Sequence, residues 1–130
     1  MNIADLGKKY KLDGKVDVWK CHDNWILTHD AITKIALLEN IKLSRLEPIY
    51  QSETSCRFLV TMVKEDKDGN VIDSVTSIGE ADNRNSKNNY YGSMAEKRGI
   101  DRCVLKLIQA YQYGIYSEVE ADDFKRGDSQ

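Results

Sequence analysis

The sequence predicts an α+β domain: an antiparallel three-stranded β-meander packed by a long C-terminal helix, with an N-terminal strand and helix before it, in the order β-α-β-β-β-α. Three observations carry this reading. Cys56 to Glu65 (CRFLVTMVKE) alternates, with Phe58, Val60 and Met62 on one face and Arg57, Leu59, Thr61 and Val63 on the other. DKDGN at Asp66 to Asn70 is a turn in which Gly69 is free to take positive φ, and it returns the chain into Val71 to Ile78, which is rich in β-branched residues. Met94, Ala95, Ile100, Cys103, Val104, Leu107, Ile108 and Tyr111 then recur at spacings of mostly three and four, the stripe of a one-sided helix. A helix laid across one face of a meander buries that stripe and leaves the other sheet face partly open.

The remaining elements follow in chain order. Met1 to Asp13 carries Leu6, Tyr10 and Leu12 among many charges, a short helix or an ordered arm. Gly14 to Lys20 alternates as an edge strand, and Trp25 to Leu27 is a short apolar run. Thr28 is placed to cap a helix with Asp30 in its first turn, Ile32, Ile35 and Ala36 on its buried face, and an end near Asn40, a residue that tolerates the left-handed position. Ile41 packs back after it. Leu43 to Gln51 is extended, with Pro48 arguing for an edge or a bulge. Asp82 to Asn89 is a polar loop without an apolar anchor, expected to be mobile. The long helix stops near Gly114, and Ser117 to Glu120 reads as a capping box. Residues 1–124 are expected to form one domain and residues 125–130 a disordered polar tail.

The chain has 130 residues and a net charge of -2, so no global charge advertises an anionic partner. The distribution is uneven. Ala81 to Tyr113 holds six Lys or Arg against three Asp or Glu, and Gly114 to Gln130 two against five. No apolar run approaches the roughly 20 residues that span a bilayer, and the N-terminus lacks the apolar core of a secretory signal, so a cytoplasmic location without membrane contact is expected. Cys21, Cys56 and Cys103 are odd in number and widely spaced, which favours reduced thiols over a disulfide scaffold.

A β-β-β-α core whose last strand leads through a polar loop into a helix with Lys-Arg, and another Arg a turn later, is similar to the single-strand annealing recombinases. These are the phage Sak and Erf proteins and their eukaryotic annealing relatives. The residues that carry the resemblance are Val71 to Gly79, the loop to Asn89, and MAEKRGIDRCVLKLI at Met94 to Ile108. WILTHDAITKIALLENI at Trp25 to Ile41 looks like the helix that precedes the meander, and GEAD at Gly79 to Asp82 and YSEVEADDF at Tyr116 to Phe124 look like phage proteins of this kind. The resemblance implies a non-catalytic protein of phage-type homologous recombination that forms rings or filaments. It also implies single-stranded DNA lying in a positive groove between helix and hairpin. Lys97 and Arg98 match the adjacent basic pair of the family, whereas Arg102 is displaced by one position, with Asp101 intervening.

Binding a single strand without sequence choice requires cations along the backbone and planar groups for stacking. Arg84, Lys87, Lys97, Arg98 and Arg102 supply the first and Tyr90 and Tyr91 the second, beside the N–H groups of a helix N-terminus. The structural alternative is that Arg98, Arg102 and Lys106 form an exposed stripe paired with Glu96 and Asp101. A metal-dependent nuclease would draw on Glu65, Asp73 and Glu80, with Glu65-Asp66-Lys67 as an E-x-K pattern, although Lys67 falls in the turn. Cys21, His22 and His29 lack a fourth zinc ligand at a sensible spacing. No phosphate-binding loop, dinucleotide glycine pattern or Ser-His-Asp order occurs, so no cofactor and no metal is expected. A protein-interaction module without nucleic-acid binding is the other alternative.

Overall fold

The computed structural model describes residues 2–85 and 90–120. The N-terminal segment is a helix, α1 (Ile3–Lys9). Asn2 accepts the Asp5 N–H at 2.9 Å, and the Asp5 carboxylate receives the Asn2 N–H in return. β1 (Val18–Cys21) and β2 (Asn24–Leu27) then form a hairpin that turns at His22, which takes a φ of 58°. Thr28 caps α2 (His29–Leu38) by accepting the Ala31 N–H, and Asn40 takes the left-handed conformation with φ 57°, both as its sequence predicts. The Asn40 amide also donates to the carbonyls of Glu65 and Asp66, which locks the end of the helix to the far hairpin turn.

The meander follows as β3 (Ile41–Gln51), β4 (Ser55–Glu65) and β5 (Val71–Asp82), antiparallel and in the order β3-β4-β5. Its pairing shifts register between Pro48 and Tyr50, where proline has no N–H to give a ladder. Gly69 turns the β4–β5 hairpin with φ 85°. β5 runs four residues beyond its predicted end at Ile78, because Gly79 to Asp82 continue to pair with Phe58 to Ser55.

α3 (Tyr91–Leu107) crosses the inner face of β4 and β5. Two glycines set how close it comes. A Cβ on Gly79 would overlap the Ala95 carbonyl oxygen and lie 2.5 Å from the Gly99 nitrogen, and a Cβ on Gly99 would lie 2.5 Å from a Val60 methyl. The core joins α1, α2, the inner face of the meander and α3 through Leu6, Ile32, Ile35, Val60, Met62 and Val104. The helix stops at Leu107, earlier than predicted; a 3₁₀ turn at Tyr111–Tyr113 carries the chain to Gly114, whose φ is 71°.

The largest departure from expectation lies after Gly114. Ile115–Ser117 forms β6, parallel to β2, so the two N-terminal strands become part of a second small sheet in the order β1-β2-β6. Ser117 ends a strand, and its hydroxyl accepts the Val119 N–H at 3.2 Å, so it caps a 3₁₀ turn at Glu118–Glu120 where the sequence suggested a capping box. Among the described residues no helix is long and apolar enough to cross a membrane. All three cysteines are buried free thiols. Lys87, the end of the polar loop at Asn89, and the tail expected at 125–130 lie outside the described residues.

Candidate nucleic-acid interface

Of the seven predicted DNA-contact residues Lys87 lies outside the described residues, and the structure sorts the other six into three groups. Arg98 stands apart, only 4% exposed in the seam between α3 and the end of β5. Its Nη1 donates to the Glu80 carbonyl at 3.0 Å and to Asn85 Oδ1 at 2.7 Å; Nη2 donates to the Asn85 carbonyl and Nε to the Val119 carbonyl at 2.9 Å. A planar fork of five N–H donors suits several carbonyls at once, which a lysine cannot match. Arg98 thus joins the polar loop and the 3₁₀ turn after β6 to the helix, and its burial corrects its expected place on a DNA track.

Arg102 is the second case. Nη1 and Nη2 grip both Glu80 carboxylate oxygens at 2.9 Å, Nη1 also donates to the Ile78 carbonyl at 2.7 Å, and Nε reaches Glu120 at 3.2 Å. Burial opposes its charge, but the two carboxylates outweigh that, and its pKa lies above the usual arginine value. The hydrogen bonds and charge of Arg102 hold Glu80 below the ordinary carboxylate range, against the opposing effect of burial.

Together Arg98 and Arg102 cover consecutive outward carbonyls of β5, those of Glu80 and Ile78. This is the protection an edge strand needs against pairing with another chain. Beside α3 and β5 lies a concavity of about 520 Å³ lined by Ile78, Arg102, Lys106, Tyr111, Tyr116 and Glu120. Two carboxylates hold its Arg102, and Lys106, exposed, donates to the Ser77 hydroxyl at 2.7 Å.

The third group is exposed. Arg84 and Lys97 face solvent, and Tyr90 is 75% exposed at the entry to α3, where its side chain makes no capping bond. Tyr91 is half-buried against Cys56, Ala81 and Ala95, so it is the anchor of the pair. The first part of the polar loop is tied down. Asp82 accepts the N–H groups of Asn85 and Arg84, which hold its carboxyl below the usual range, and the Asn83 N–H donates to the Thr54 carbonyl.

That last bond brings Arg84 to the β3–β4 turn, where two residues outside the predicted set stand ready. Tyr50 and Arg57 are direct cross-strand partners on the open sheet face, both exposed, and they line a concavity of about 440 Å³ with Ile49 and Ser55. Arg57 was visible in the alternation of its strand, but its pairing with Tyr50 depends on a register that Pro48 shifts.

The carboxylates of the nuclease alternative do not converge. Glu65 pairs with Lys42 at 2.8 Å, Glu80 holds Arg102, and Asp73 is exposed, seven residues and about 23 Å along β5 from Glu80. Asp66 receives the N–H groups of Asp68 and Asn70 and so shapes its turn. Among the described residues no group of three or more His, Cys, Asp or Glu is placed to hold a metal ion. No family model, no curated protein and no solved structure matches the chain.

Proposed function

We propose that the protein binds single-stranded DNA, as a non-catalytic, self-associating domain of the annealing type, across the end of the meander. The observation that carries the reading is the exposed Tyr50–Arg57 pair on the same end as Arg84 and Tyr90. Two rings offer stacking surfaces and the two guanidinium groups, with Lys97, meet phosphates. The groove beside α3 plays no part in this contact.

Three phosphate-binding cations give a salt dependence of about -2 in log K against log salt for a single strand. Raising salt four-fold then weakens binding roughly 16-fold. The test is a fluorescence-anisotropy titration of a labelled single strand at two salt concentrations, with molar mass measured alongside. Arg57→Ala with Arg84→Ala is expected to flatten the slope by about 1.4, whereas Lys106→Ala in the groove leaves it unchanged. A monomer that ignores the oligonucleotide at low salt sinks the proposal and leaves the interaction-module reading. Dependence on Lys106 instead of Arg57 and Arg84 moves the strand back into the groove.

A further inference from the structure

α2 and α3 meet over a buried acid–base pair. Asp101 is fully enclosed; Oδ1 lies 2.7 Å from His29 Nδ1 and Oδ2 accepts the Ser117 hydroxyl at 2.6 Å. His29 is the first residue of α2, and its backbone N–H donates to the Glu118 carboxylate at 2.8 Å. The ring is therefore fixed at Nδ1, and Nε2 is the nitrogen left for the cavity that His29 lines. That cavity has a volume of about 280 Å³ and a floor of Ile32, Ala36, Ile41, Met62, Ile100 and Val104. It is at the small end of ligand sites, apolar except for His29 and Thr33, whose hydroxyl donates to the His29 carbonyl at 3.0 Å.

Such a chamber suits an amphiphile, and the charges around His29 decide the sign of its head group. Asp101 spends both oxygens inward, on the ring and on Ser117. Its hydrogen bond raises the His29 pKa, with Asp30 on α2 adding to the effect; burial and Lys97, one turn before Asp101 on α3, oppose it. Glu118 is already engaged on the His29 N–H. A ring bonded to Asp101 through Nδ1 presents a bare Nε2 when neutral and an Nε2–H donor when protonated. A carboxylate favours the protonated form and gains a charge-assisted bond; an ammonium favours the neutral form, to which it donates, and an alcohol gains less.

We propose that the α2–α3 groove is a binding site for a small aliphatic monocarboxylate, its carboxylate on His29 Nε2 and its chain against the apolar floor. Binding takes up a proton at His29, so affinity rises as pH falls. Calorimetric titration with octanoate, octanol and octylamine at about pH 6 and about pH 8 tests this. Octanoate is expected to bind roughly ten-fold tighter than octanol at the lower pH, with the advantage shrinking at the higher one. His29→Gln removes that advantage while circular dichroism stays native. Leu37→Asp, at a rim position 77% exposed, weakens octanoate several-fold more than octanol, and it decides the question if His29→Gln fails to fold. Equal affinities for octanoate and octanol, an advantage that survives either substitution, or no binding at millimolar octanoate overturns the proposal.

Discussion

Replacing Arg98 by alanine separates a structural cation from a DNA-binding one. The guanidinium serves the carbonyl oxygens of Glu80, Asn85 and Val119 and the Asn85 side-chain oxygen, all within 3.0 Å, from a residue only 4% exposed. A buried acceptor that loses its donor costs about 1–3 kcal/mol, and the space left by the side chain admits water to some of the four. A net loss of about 3–5 kcal/mol is therefore expected, a large part of the roughly 5–15 kcal/mol that holds a domain together. At a urea m-value near 2 kcal/mol/M the unfolding midpoint falls by about 2 M. Arg98→Lys keeps the charge but offers its donors from one point, so it recovers only part of this. Urea melts of the three proteins, read by circular dichroism, make the measurement. A loss below about 1 kcal/mol, accompanied by weakened oligonucleotide binding in a fully folded variant, would refute the reasoning and return Arg98 to the surface.

Gly79→Ala is expected to cost about 3 kcal/mol or more, because the new Cβ meets backbone that cannot yield; Gly99→Ala meets a Val60 methyl, gains about 1 kcal/mol in helix propensity and costs less. Thermal melts giving the reverse order would show that the helix seats differently. The hydrogen bond from Asp101 raises the His29 pKa, and burial raises that of Asp101, so both groups take up protons on folding. The His29 contribution is complete below its unfolded value of about 6.5 and is lost as pH rises through the folded value. Asp101 acts in the same sense over the acid range, from its unfolded value of about 3.8 upward. Urea midpoints should fall as pH rises above about 6.5, and Asp101→Asn should flatten that fall; a rise over the same interval contradicts the assignment.

What the sequence makes legible is what neighbours along the chain decide. The Gly69 turn, the Thr28 cap, the left-handed Asn40 and the irregular pairing at Pro48 each follow from one residue and its local backbone, and each is where it was predicted. The face of α3 was harder. Periodicity sorts apolar from polar, so Arg98 and Asp101 were assigned to solvent, yet both are buried because carbonyls, His29 and Ser117 arrive from distant segments to satisfy them. Leu105, outside the predicted stripe, is buried too. The three residues of β6 pair with β2 across some ninety positions of sequence, and no local pattern announces so short a strand.

The fit between α3 and the edge of β5 has a length limit. Four residues of helix advance about 6.0 Å and two residues of strand about 6.8 Å, so the two ladders behave as the scales of a vernier. Arg98 and Arg102 coincide with the carbonyls of Glu80 and Ile78; one step further Lys106 has drifted and takes the Ser77 hydroxyl instead. A straight helix can therefore shield only a short run of a neighbouring strand. Nearer Val71 the helix meets β5 through the Cys103 thiol on the Val75 carbonyl at 3.8 Å and carries no further arginine, and any lengthening of the arginine ladder would have to bend the helix to follow it.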